Sequence, residues 1–123
     1  VLNTPFTADG AVDLDSLARH VEYAVKAGVC GFLVPAMASE VGKLTRTERR
    51  DIVETVVESA HSLPVIGGAS ATDQAERTGL AAECIALGCA GVLVQFPPVS
   101  EDTLTGWIRE LDALDPGFLM LQD

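Results

Sequence analysis

Two stretches of the chain are written in the same pattern. Gly28, Gly31, Leu33 and Val34 reappear at a constant offset as Gly88, Gly91, Leu93 and Val94. In each copy a glycine closes a helical pattern and a short apolar run follows, as for a strand buried on both faces. Self-similarity of this kind marks a repeat architecture built from one supersecondary unit. The unit here is strand, loop and helix.

The rest of the chain fills in that unit. Val1 to Phe6 is read as a first strand, broken by Pro5 and ended by the turn Ala8-Asp9-Gly10. The next helix carries Leu14, Leu17, Ala18, Val21, Ala24 and Val25 at helical spacing, with Asp13 as N-cap. Cys30 to Val34 is a second strand, Ala36 to Lys43 a small-residue loop, and Thr45 with Glu48 a capping box opening a helix from about Arg46 to Ala60. Leu63 to Gly67 is a third strand, followed by a helix that Thr72 can cap and that is expected to pack through Ala75, Gly79, Ala82, Ile85 and Ala86. Cys89 to Gln95 is a fourth strand. Ser100 caps a helix with Leu104, Trp107, Ile108 and Leu111 as its apolar stripe, and Phe118 to Leu121 is a fifth strand. Trp107 is expected in the core.

Five strands alternating with four helices, without a hairpin signal, predict a parallel sheet. This pattern fits both half of an eight-fold barrel and a doubly wound open sheet. In either, the loops after the strands carry the chemistry. Gly67-Gly68 lacks the lysine of a phosphate-binding loop and the spacing of a dinucleotide fingerprint, so it is read as tight turns and close packing.

Composition narrows the function classes. Eight basic residues against eighteen acidic ones give a formal charge of −10, which repels a phosphate backbone, so nucleic acid is not an expected partner. No apolar run reaches the roughly 18 residues of a membrane span, and no signal-peptide pattern is seen. Cys30, Cys84 and Cys89 form no C-x-x-C pair and sit among apolar neighbours; buried, reduced thiols and a cytoplasmic location are expected, with neither zinc nor disulfide.

The stretch Ala36-Met37-Ala38-Ser39-Glu40, then Leu44-Thr45-Arg46-Thr47-Glu48-Arg49, resembles the G-[TS]-T-G-E and L-T-x-x-E-R signature of the dihydrodipicolinate synthase and N-acetylneuraminate lyase family. Thr4-Pro5-Phe6 with Asp9-Gly10 and Asp13, then Pro64 to Gly68 and Gly88 to Pro97, extend the resemblance along the chain. It implies a (β/α)8 TIM barrel, of which this chain is roughly the first half, strands 1 to 5 and helices 1 to 4, in a single domain. It also implies class I aldolase or lyase chemistry. A lysine forms a Schiff base with pyruvate or a related 2-keto acid or carbonyl compound, without a cofactor or metal, in a homo-oligomer.

In the family that lysine ends the sixth strand, beyond this chain. Lys43 matches no catalytic position and is read as a solvated loop charge; Lys26 lies late on a helix. The family's substrate-binding hydroxyl pair falls at Met37 and Ala38, whose backbone N–H groups can still bind an anion, and Ser39 is expected to add one substrate-binding hydroxyl where the family has glycine. The proton-relay tyrosine of the family falls at Gln122, beside Asp123, and Pro97-Pro98-Val99 stands where it has P-Y-Y. A glutamine can hydrogen-bond a substrate but cannot shuttle a proton as a phenol does. Glu40, retained from the signature, is expected to order the loop. The altered positions also permit a second reading, a non-catalytic ligand-binding or structural barrel. The 123-residue chain by itself is expected to be inactive and not a stable monomer.

Overall fold

A computed structural model describes residues 1–122. Helices α1 (Leu14–Lys26), α2 (Arg46–Ser59), α3 (Gln74–Ala86) and α4 (Glu101–Asp112) alternate with strands β1 (Phe32–Val34), β2 (Val65–Gly68), β3 (Gly91–Gln95) and β4 (Leu119–Gln122). The strands form one parallel sheet in the order β1-β2-β3-β4. The loop after β1 contains two short 3-10 turns, Met37–Ser39 and Val41–Lys43.

The helix ends follow their side chains. Asp13 accepts from the N–H of Ser16 at 2.9 Å, and Ser100 from that of Thr103 at 3.3 Å. Thr45 and Glu48 close the expected capping box: the Glu48 N–H reaches the Thr45 hydroxyl at 3.2 Å, and the Thr45 N–H reaches the Glu48 carboxylate at 2.7 Å. At the start of α3 the cap is Asp73 rather than Thr72, with its carboxylate 3.0 Å from the N–H of Glu76. A charged acceptor one residue later serves the positive helix end better than a hydroxyl.

Residues alternate between the two faces of each strand. Phe32, Val34 and Val65 pack with Leu17, Val21, Ile52 and Val56 in one core cluster. Val92 and Val94 join Val53, Leu80, Ala81, Cys84 and Leu111 in a second. The helices therefore cover this face. The register pairs Leu33 with Ile66, Leu93 with Met120 and Gln95 with Gln122, and these residues occupy the opposite face.

Three further expectations are corrected. Val1 to Phe6 is not a strand: it makes one ladder-like bond, the Leu2 N–H to the Leu33 carbonyl at 3.3 Å, and Phe6 forms an isolated antiparallel bridge with Val12. Pro5 has no N–H to donate, so a regular ladder cannot continue there. On α3 the buried stripe is Arg77, Leu80, Ala81 and Cys84, while Ala75, Ala82 and Ala86 are exposed. A charged residue in the buried stripe hides the true phase of the helix. Burial is offset by contacts: the Arg77 guanidinium donates to Gln74 and to the Ala71 carbonyl and lies 4.7 Å from the Phe96 ring centre and 5.2 Å from that of Trp107. Trp107 is half-buried and stacks on Phe96 with ring centres 5.9 Å apart. The third correction is Cys30, which is exposed because β1 begins only at Phe32; Cys84 is buried and Cys89 half-buried.

Candidate active site at the carboxyl end of the sheet

At the carboxyl ends of the strands the chain leaves the sheet and its loops converge. After β1, Pro35 leads into the turn Met37–Ser39, whose first internal bond runs from the Ser39 N–H to the Ala36 carbonyl at 2.8 Å. The N–H groups of Met37 and Ala38 precede that bond and open the turn, as the first N–H groups of any helical turn do. Both residues are exposed, Met37 at 68%.

Met37, Ala38 and Gln122 come together. With Leu33, Leu93 and Met120 they border an open cavity of about 520 Å³ along the uncovered face of the sheet. A smaller recess of about 130 Å³ lies at the strand ends, between Pro35, Met37, Val41, Gly68, Ser70, Leu93, Gln95 and Gln122. Gly68 is required there. A Cβ on it would stand 1.7 Å from the Pro35 carbonyl oxygen, so only hydrogen lets β1 and β2 lie this close.

Ser39 does not face either cavity. It is fully buried; its hydroxyl donates to the Leu2 carbonyl and accepts from the Ala36 N–H at 3.1 Å, and its own carbonyl accepts from the Thr4 hydroxyl at 2.7 Å. In a closed turn a short hydroxyl side chain bonds nearby backbone before it reaches outward. Glu40 joins the two 3-10 turns in left-handed backbone geometry, φ 56°, and its carboxylate pairs with Lys43. Lys43 is an exposed loop charge, and Lys26 is exposed in the last turn of α1. The part of the proton-relay expectation that falls on Asp123 lies outside the described residues.

The sequence reading left out three residues that shape the site. Arg49 spans two loops, donating to the Val41 carbonyl at 3.0 Å and to the Ser70 carbonyl at 3.4 Å. Ser70 in turn accepts the Gln95 N–H at 3.0 Å. Arg49 was visible as the last residue of L-T-x-x-E-R, and Gln95 as a polar residue ending an apolar strand. Ser70 carried no local signal. Among the described residues no cluster of three or more His, Cys, Asp or Glu is placed to hold a metal ion, and no helix is long and apolar enough to cross a membrane.

A parallel α/β sheet with its loops converging at the strand ends is shared by barrels and doubly wound sheets, and comparison with known proteins identifies the class. Residues 1–104 match the model of the dihydrodipicolinate synthetase family, and the chain belongs to that family. It is 36% identical over 114 residues to the 4-hydroxy-tetrahydrodipicolinate synthase of Rhizobium meliloti (strain 1021), covering 92% of this chain and 39% of that protein. Against the enzyme of the same name from Mycolicibacterium paratuberculosis the figures are 34% over 112 residues, 90% and 37%. The solved dihydrodipicolinate synthase of Rhodopseudomonas palustris superposes with a TM-score of 0.87 at 29% identity, over 99% of this chain and 42% of that one. A prophage protein of the same family from E. coli K12, solved in complex with pyruvate, gives 0.89 at 27% identity, over 97% and 41%. The chain thus spans about two fifths of the length of these relatives. Its four parallel strands and four helices are consistent with the first half of their barrels.

Proposed function

We propose that this chain forms one wall of a class I aldolase or lyase acting on a 2-keto acid such as pyruvate, or on a related carbonyl compound. The Schiff-base lysine is supplied by chain beyond these 123 residues, as the family resemblance implies. The observation that carries the reading is the recess at the strand ends. It is lined by the β1 loop on one side and by Gln95 and Gln122 on the other, at the carboxyl face where barrel enzymes hold their substrates. The relative solved with pyruvate supports the same substrate class.

The chain's own residues bind and orient. Met37 and Ala38 border the cavity and bring the opening N–H groups of the turn to its edge. The apolar floor of Leu33, Leu93 and Met120 offers no competing hydrogen bond, and it strengthens polar contacts made above it once the rest of the barrel covers this face. Glu40 orders the loop by bridging its two turns and pairing with Lys43. The lysine, once neutral, attacks the keto carbon to give a carbinolamine, which is protonated and loses its hydroxyl as water, and the iminium left behind acts as the electron sink for making or breaking the adjacent carbon–carbon bond.

Borohydride trapping of the full-length protein with pyruvate and a panel of 2-keto acids tests this. A lysine adduct with one of them is expected; no adduct with any of them overturns it. Met37, Ala38 and Gln122 favour a second reading, a barrel that binds ligand without catalysis, because none of them supplies the hydroxyl of its family counterpart. A full-length sequence whose sixth strand ends without lysine selects that second reading. We further propose a cytoplasmic homo-oligomer, which sedimentation of the full-length protein checks.

A further inference from the structure

The loop after β1 offers the recess no side-chain donor. Met37 and Ala38 have none, and the Ser39 hydroxyl is committed to the Ala36 N–H and the Leu2 carbonyl. The polar side chains that remain around the recess are Ser70, Gln95 and Gln122, and no charged residue lines it. Gln95 and Gln122 are register partners in the β3–β4 ladder. Neighbouring strands lie about 4.8 Å apart, so the two carboxamides leave the same face side by side. Ser70 fixes the base of Gln95: its hydroxyl oxygen accepts the Gln95 main-chain N–H at 3.0 Å, at the point where β3 ends. Among the described residues neither carboxamide is hydrogen-bonded to another group lining the recess.

Resting on the keto-acid reading above, we propose that Gln95 and Gln122 form a paired carboxamide grip that binds the substrate carboxylate through their side-chain N–H donors. The donors that the resemblance places on the loop are thereby moved to the ends of two adjacent strands. Each carboxamide has two N–H donors and a carboxylate can accept from several directions, so one carboxylate serves both residues. Bonds to an ionised acceptor are shorter and stronger than neutral ones, and the apolar floor beneath strengthens them further. The pair positions the substrate. A carboxamide neither gains nor loses a proton near neutral pH, so the proton steps belong to other groups.

The test is borohydride trapping of the full-length protein titrated with pyruvate, in the wild type and in Gln95→Met, Gln122→Met, the double variant and Gln95→Glu. Methionine keeps the length and volume of glutamine without its donors, and variants are compared only where their melting temperatures match the wild type. Each methionine variant is expected to raise half-saturating pyruvate about tenfold while leaving the adduct yield at saturation unchanged, as for loss of one bond to a charged acceptor. The double variant should fall short of the product of the two, because both residues hold one carboxylate. Gln95→Glu should be worse than Gln95→Met, since it sets a negative charge beside the substrate's own. An adduct whose pyruvate dependence is unchanged in both methionine variants overturns the grip, as does Gln95→Glu binding pyruvate as well as Gln95→Met does. A wild-type protein that forms no adduct overturns the keto-acid reading itself, a different result from either. Should a methionine variant not fold, Gln122→Asn, which withdraws the donors by one methylene, is expected to raise half-saturating pyruvate likewise; an unchanged value overturns the grip.

Discussion

The Thr4 hydroxyl donates to the main-chain carbonyl of Ser39 at 2.7 Å, joining two residues that are 35 positions apart. The Ser39 hydroxyl answers by donating to the carbonyl of Leu2. The N-terminal segment, which has no regular ladder of its own, is thus fastened to the loop that borders the candidate site. Ser39→Ala removes the hydroxyl and leaves the Leu2 carbonyl and the Ala36 N–H without that partner. A loss of about 1–3 kcal/mol is expected in denaturant unfolding of the full-length protein, and an unchanged midpoint would mean the loop is held elsewhere.

Arg49 holds the same loop from its other end. Arg49→Met deletes the bonds to the Val41 and Ser70 carbonyls and is expected to cost about 1–3 kcal/mol. Arg49→Lys, a point charge without the planar fork, should recover only part of that loss. Equal stability of the methionine variant and the wild type in urea would show that the bridge contributes nothing.

Gly68→Ala is the most damaging small substitution expected in the sheet. Its Cβ would overlap the Pro35 carbonyl, and backbone cannot yield as a flexible side chain does. A loss of about 3 kcal/mol or more, or failure to fold, should appear in thermal unfolding.

The capping carboxylates make a pH prediction. The Thr45 N–H, and then its hydroxyl, hold Glu48 below its usual 4.5; the Ser16 hydroxyl, and then its N–H, hold Asp13 below 3.8. A carboxyl whose folded value is depressed stabilises fully above its unfolded value and loses that contribution as pH falls through the folded one. The stability gap between the wild type and Glu48→Gln should therefore be constant near neutrality and close as pH falls below 4.5. Urea titrations across that range check it. A gap that widens in acid has the wrong sign.

The isolated 123-residue chain is expected to self-associate. Leu33, Ile66 and Met120 lie half-buried on the face the helices do not cover, and Leu121, beside Val94 on the other face, is 52% exposed. Apolar area left in water forfeits about 25 cal/mol per Å², enough over several side chains to rival the stability of a domain. Sedimentation giving a monodisperse, cooperatively melting monomer would contradict this.

Much of this architecture is local and was legible from residue order. The capping box at Thr45 and Glu48, the Asp13 and Ser100 caps and the left-handed Gly28 and Gly88 each depend on neighbours within a few positions. The apolar runs of β1 to β4 and the family resemblance likewise followed from the sequence. What depends on distant partners did not. The buried stripe of α3 was obscured because Arg77 is made tolerable by Phe96 and Trp107, which are far along the chain. The sequence marks Ser39 as a substrate-binding hydroxyl, yet the Leu2 carbonyl draws that hydroxyl inward. Gln95 became a site residue only through parallel pairing, which sets it beside Gln122 and above Leu93. Periodicity specifies which side chains share a face of one element; only tertiary packing decides which elements meet, and so which polar groups are already bonded and which remain for a substrate.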